Sequence, residues 1–262
     1  MKQVIAFLTA ALMLCACGSE QPKTVTFHKV KTTKEAVLDS SANAPSCKVV
    51  IEIDNADGDN AETAKAINNA VSQRLFFLEG QPLQQTADSF ATQYIKNYGQ
   101  LKPLYQQDKN DPEKRNWYEY HYTVSTETAM GREGIINYII HLDYYEGGAH
   151  GIQQQLIINF DEQSGKPLTA DSVFVPGYRQ PLSDLLLQEL MDQAGVSTLD
   201  ELRQKDYLYS MDMYPSDNFI LGDDAITFIY NPYEIAPYSV GTIKLSLDYS
   251  DVKHLMNKDL WN

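Results

Sequence analysis

The sequence predicts an α+β protein, mostly antiparallel sheets with packed helices, laid out as two consecutive small α/β domains. Two observations carry this. Three alternating segments, Trp117–Thr126, Gly134–Tyr144 and Ile152–Phe160, follow one another with short connections, which is a meander and not a βαβ alternation. Segments with apolar residues three and four apart stand before and after that meander. The expected organisation is an export signal over residues 1–16, a tether over 17–45, a first domain over 46–145 and a second over 146–262.

The N-terminus comes first. Lys2 precedes Val4–Leu14, eleven positions without a charge, which is too short to span about 30 Å of hydrocarbon. Leu14-Cys15-Ala16-Cys17 then has the form of a lipoprotein processing site, a small residue before the cut and a thiol after it. Cutting before Cys15 would put bulky Leu14 at the cleaved position, so Cys17 is the expected lipidation site. The expected product is exported and anchored to the bacterial cell envelope by its N-terminal lipid, as a periplasmic or surface-exposed lipoprotein. Only Cys47 then remains as an ordinary thiol, so no internal disulfide is expected.

Within the tether, Thr24–Lys31 alternates as a short strand and Ser40–Ser46 reads as linker. Cys47–Ile53 predicts a strand with Cys47, Val49, Ile51 and Ile53 on its buried side, where Cys47 serves as a small hydrophobe. Asp54–Asn60 reads as an acidic turn. Its oxygens alternate beside Gly58 as calcium would want, but the register and bidentate Glu of an EF-hand are missing, so a solvated turn capping the next helix is the better reading. Asp59 and Glu62 resemble a capping box before a helix through Ala64, Ile67, Val71, Leu75 and Leu78. A second helix covers Thr86–Tyr98, and Asp108–Arg115 is a charged loop.

After the meander, Asp161–Lys166 reads as a hairpin-type turn and Pro181–Met191 as a helix over Leu182, Leu185, Leu186 and Leu190. A shorter helix runs to Lys205, and Tyr207–Asp217 is a loop bearing Tyr and Met. Asn218–Leu221 and Ala225–Tyr230 form a hairpin around Gly222, Thr242–Leu247 is a strand, and Ser250–Asn257 a closing helix.

Composition limits the function classes. Lys and Arg number 21 against 35 Asp and Glu, a formal charge of −14, which disfavours a nucleic-acid backbone and favours cationic partners. Tyr is the abundant aromatic, 17 against 9 Phe and 2 Trp, as suits half-buried sheets and equally a binding face. No nucleophile elbow, phosphate loop or cofactor motif appears. His121, His141 and Asp143 share parity on neighbouring strands, but zinc wants three or four converging ligands and no fourth is in view, so no metal site is assigned.

Three segments together resemble a known family. They are Tyr144-Tyr145-Glu146-Gly147-Gly148-Ala149-His150-Gly151; Asn159-Phe160-Asp161 through Ser164-Gly165-Lys166-Pro167-Leu168-Thr169 to Phe174; and Asn231-Pro232-Tyr233-Glu234-Ile235-Ala236-Pro237-Tyr238 through Gly241. They look like the exported bacterial domain of unknown function 3298 (DUF3298), and Cys47–Tyr144 resembles its usual N-terminal companion, number 4163. The resemblance implies a module like the outer part of a lysozyme-binding anti-sigma factor and of a peptidoglycan deacetylase. The deacetylase's metal-dependent catalytic domain, with its paired aspartates and His-x-x-x-His, has no counterpart here. Nor does the anti-sigma factor's cytoplasmic region or membrane-spanning helix. The direct expectation is a stand-alone, lipid-anchored module.

The candidate binding or structural residues are therefore Gly147, Gly148, His150 and Gly151 in a hairpin turn, with Pro232, Tyr233, Glu234, Pro237, Tyr238 and Gly241 in a stiff extended segment. The leading expectation is a non-catalytic envelope module whose partner is a lysozyme-like cationic protein or cell-wall glycan. One alternative is a glycan-processing enzyme using His150 and Glu234 as a dyad. Another is a structural or assembly lipoprotein.

Overall fold

The structure is a computed structural model that describes residues 24–41 and 43–258. The export signal at 1–16 and the lipidation site Cys17 lie outside the described residues. The main sheet has six strands in chain order: β1 (Val25–Val37), β2 (Ser46–Gly58), β3 (Tyr120–Met130), β4 (Ile135–Glu146), β5 (Ile152–Asp161) and β6 (Pro167–Leu168). All neighbours are antiparallel except β2 and β3, whose parallel pairing is made possible by the intervening helices. Those are α1 (Ala61–Phe76), α2 (Leu83–Gly99) and α3 (Lys102–Asp108). A second sheet has three antiparallel strands, β7 (Phe219–Leu221), β8 (Ala225–Tyr230) and β9 (Ile243–Asp248). It packs with α4 (Ala170–Val173), α5 (Arg179–Ala194), α6 (Leu199–Gln204) and α7 (Tyr249–Val252). The architecture is α+β.

The alternation of β2 puts Cys47, Val49, Ile51 and Ile53 in the core against Ile67 and Val71 of α1 and Leu83 and Ala87 of α2. Burial holds the Cys47 thiol up at about 12, so it is a packing group and not a reactive thiolate. α1 begins one residue later than expected: the Asn60 side chain, not that of Asp59, accepts from the Thr63 N–H at 3.4 Å. α2 runs longer at both ends than the expected 86–98.

Two expectations are corrected by the edge strand. Residues 25–37, placed in the tether, form a strand paired with β2 along its whole length, from Val25↔Gly58 to Val37↔Ser46. That pairing also carries β2 through Gly58, so 54–58 is strand and not an acidic turn. Asp54 is buried and its carboxylate is already partnered, at 2.9 Å by Lys29 Nζ and at 2.9 Å by the Thr126 hydroxyl, which removes it from any calcium loop. Lys29 also donates to the Thr126 carbonyl, tying β1 to β3 across β2.

The expected domain boundary at 145/146 falls inside the β4–β5 hairpin, whose register runs from Tyr144↔Ile152 to Ile135↔Asp161. The cores divide later. The first ends at Phe160, and the second takes only Ile135 from before residue 168. Ile139, Ile157 and Ile229 make a third, small cluster between the sheets. Residues Ile135–Ile140 are therefore buried on both faces, although their sequence alternation suggested one buried face and a partly apolar other.

Four asparagines join the sheets. Asn231 Oδ1 accepts from the Gln155 N–H at 2.7 Å and its amide donates to the Gln155 carbonyl at 3.1 Å. Asn218 accepts from the Ile157 N–H at 2.7 Å and donates to the same Gln155 carbonyl at 2.7 Å. From the other side, Asn159 donates to the Phe219 carbonyl at 2.8 Å, and Asn137 donates to that of Leu221 at 3.1 Å. Beyond β6, which covers only Asn159 and Phe160, the Asn218 and Asn231 amides satisfy the β5 edge as a neighbouring strand would.

Candidate functional site

The two candidate segments meet. The β4–β5 turn contains Gly147, Gly148, His150 and Gly151, and it needs a glycine at 147: φ is +82° and a Cβ there would lie 2.7 Å from the Trp117 carbonyl oxygen. The turn holds His150 beside the segment that follows β8. Nδ1–H of His150 donates to the Gly151 carbonyl at 2.8 Å, which leaves Nε2 to accept from the Tyr233 hydroxyl at 2.9 Å. The imidazole stacks on Tyr238 with centroids 4.0 Å apart and planes 20° apart, and lies 6.0 Å from the Tyr233 ring. The tyrosine rings are themselves 5.6 Å apart. Three rings from two separate segments of the sequence thus form one cluster.

The segment is held in an unusual way. The Glu234 N–H donates to the Asn231 carbonyl at 3.0 Å, closing a four-residue turn with Pro232 second and Tyr233 third. Tyr233 has φ +73°, a left-handed conformation that this turn ordinarily gives to glycine. For a residue with a Cβ that costs about 1–2 kcal/mol. The return is orientation: Tyr233 is 63% exposed, yet its hydroxyl is held by His150. Pro237 leads into a 3-10 turn, Tyr238–Val240, which Gly241 ends at φ +79°.

Glu234 behaves differently from its neighbours. Burial pushes its carboxyl above the ordinary range, opposed by hydrogen bonds from Asn231. Oε1 receives the Asn231 amide at 3.5 Å, while Oε2 is buried with no hydrogen-bond partner. The expected His150–Glu234 dyad is not formed, since both His150 nitrogens are engaged elsewhere and Glu234 turns to Asn231. Glu234 instead lines a cavity of about 220 Å³ with Asp206, Tyr209, Met211, Tyr233 and Pro237. Asp206 and Leu208, on the facing loop, also have positive φ, at 65° and 51°. With Tyr233 they are three of the four such non-glycine residues among those described. The fourth, Phe77, has a local reason, because it caps α1 with its N–H on the Gln73 carbonyl.

On the sheet, His121 and Asp143 pair at 3.1 Å, but His141 turns to Glu127 at 3.3 Å. The shared parity brings two of the three together, but among the described residues no three His, Cys, Asp or Glu side chains converge on one point. Asp143 and His141 instead line a polar groove of about 310 Å³ with Thr123, Ser125, Gln153 and Thr242. A larger cleft of about 730 Å³ lies between α1 and the start of the second core, lined by Ile157 and Leu168 beside Arg74, Arg179, Asp171 and Asp217. It shares no lining residue with the ring cluster or the Glu234 cavity.

Sequence reasoning passed over several of these groups. Asn137 and Asn159 stood out as amides inside apolar strand runs, a signal that could have marked the joint between the sheets. Asp206, Tyr209 and Met211 carried no such signal, because the loop has no periodicity and its partner segment is more than twenty residues away.

Known proteins give the fold a context. The model of a family described as a protein of unknown function (DUF3298) matches residues 171–250. A crystal structure of a DUF3298 family member from Bacteroides fragilis NCTC 9343 is similar at TM-score 0.83 and 26% identity, over 91% of this chain and 96% of that one. A DUF3298 family protein from Pseudomonas aeruginosa PAO1 has the same fold at TM-score 0.58 and 14% identity, over 90% of this chain and 96% of that one. No curated protein matches. The matched stretch includes Asn231–Gly241 but not the His150 turn.

Proposed function

We propose that this chain is a non-catalytic binding module of the bacterial cell envelope, lipid-anchored through Cys17, with a 4163-like first half and a DUF3298-like second half. Its recognition face is the His150–Tyr233–Tyr238 cluster. One observation carries this: an exposed tyrosine ring is kept in glycine's conformation and locked by a histidine with both nitrogens engaged. Strain of that kind persists where it positions a group for a partner. The formal charge of −14 supports a cationic protein as that partner, and lysozyme is the natural basic probe.

The polar groove supports a second reading, cell-wall glycan. Hydroxyl, amide, imidazole and carboxylate groups of Thr123, Ser125, Gln153, His141 and Asp143 face one concavity and offer both donors and acceptors. Titration of the purified chain with lysozyme, and separately with soluble peptidoglycan fragments, distinguishes the two. Saturable binding of the basic protein that weakens as salt rises supports the leading reading. Binding of glycan alone supports the second, and no saturable binding of either at moderate salt contradicts both.

A further inference from the structure

Resting on that reading of the face, we infer that the cavity beside Tyr233 is a socket for one alkylammonium group of the lysine type, presented by a basic partner protein. Its volume, about 220 Å³, suits the end of a single side chain and is below the range typical of drug-sized ligands. Its walls suit a cation on an alkyl stem. Tyr209, 80% exposed, and Tyr233 supply aromatic surface, and Met211 and Pro237 supply apolar contact for methylenes. Asp206 and Glu234 supply carboxylates, and no Lys, Arg or His lines the cavity.

Glu234, in the wall of the socket, keeps its Oε2 buried without a hydrogen-bond partner. A carboxylate with one oxygen so poorly solvated carries an incompletely compensated charge beside the cavity, and a cation there would offset it. The raised affinity of Glu234 for a proton agrees with this, because a cation entering the cavity would replace the proton. The two walls are fixed to each other by the Leu208 N–H, which donates to the Ile235 carbonyl at 2.7 Å. The cavity is therefore formed before any ligand arrives. The positive φ of Asp206, Leu208 and Tyr233 places strain on both walls.

The test titrates the purified full chain with N-acetyl-lysine methylamide and with its uncharged counterpart N-acetyl-norleucine methylamide, followed by NMR. Saturable shifts with the lysine compound only, weakened about tenfold or more in Glu234→Gln and in Tyr209→Ala, support the socket. Competition of the lysine compound against lysozyme places the ammonium on the protein partner; binding without competition overturns that source. Equal binding of norleucine, or an unchanged affinity in a folded Glu234→Gln variant, overturns the socket. If lysozyme binds wild type and Glu234→Gln alike while the lysine compound does not bind, the socket falls and the binding face stands. If neither ligand binds, both fall.

Discussion

Asn231 and Tyr233 are two residues apart and obey opposite physics. Asn231 is buried, and its amide is matched on both sides to the β5 backbone at Gln155. Tyr233 is exposed and left-handed, and next to it Glu234 keeps an oxygen without a partner. The first end of the segment satisfies every local rule and joins two sheets. The second breaks two of them in adjacent residues. Polar groups that are fully satisfied specify structure, whereas local inconsistencies concentrate where a site is held ready. On the proposed function, the Asn231 end serves folding and the Tyr233 end serves binding.

The largest expected effect tests the folding end. Asn231→Ala leaves the Gln155 N–H without its acceptor, and a buried unsatisfied group costs about 1–3 kcal/mol, with the lost amide contact added. Urea unfolding should show a loss on the order of 3 kcal/mol, and Asn218→Ala a similar one. A loss under about 0.5 kcal/mol, as for an ordinary surface change, would break the comparison from that side.

Tyr233→Gly comes next, with the opposite sign. Glycine takes positive φ without the penalty of about 1 kcal/mol, so melting should stay constant or rise although a ring cluster is lost. Partner binding should disappear. A marked drop in thermal stability would make Tyr233 a packing residue instead.

The third effect depends on pH. Glu234 has a folded-state pKa raised above its unfolded value, so the native state holds the proton more tightly and loses stability as pH rises through the folded pKa. Glu234→Gln should accordingly be more stable than wild type at neutral pH. The difference should vanish below the ordinary carboxylate value of 4.5. Thermal melts of both chains across that range check it, and a destabilised glutamine variant at pH 7 would place the carboxylate in a structural role.

The smallest expected change is His150→Ala. The imidazole is exposed and its loss leaves no buried group unpaired, so stability should shift by no more than about 0.5 kcal/mol. Binding should weaken, because the Tyr233 ring loses its anchor. Calorimetric titration beside a melting curve separates the two.

The same contrast explains what could be read without coordinates. β2 was legible because one face meets the helices and the other does not, so Cys47, Val49, Ile51 and Ile53 alternate with Lys48, Val50 and Glu52. The second half of β1 was not, because an edge strand carrying Lys31, Lys34 and Glu35 looks like solvated linker until its partner is known. The boundary at 146 failed for a related reason: the second sheet covers Ile135–Ile140 from the far side, and nothing local records that a hairpin spans two layers. At the site, the glycine turn and the proline-rich segment were legible as separate motifs. Their stacking through His150, and the loop of Tyr209 facing Glu234, depend on contacts across the fold.

Tyr233 is the residue on which folding and binding should separate. Lysozyme binding and melting temperature measured side by side on wild type and Tyr233→Gly test it most directly. The prediction is saturable binding by wild type, none by the variant, and a melting temperature no lower than wild type. Equal binding by both chains, or loss of binding only together with loss of the fold, would contradict it.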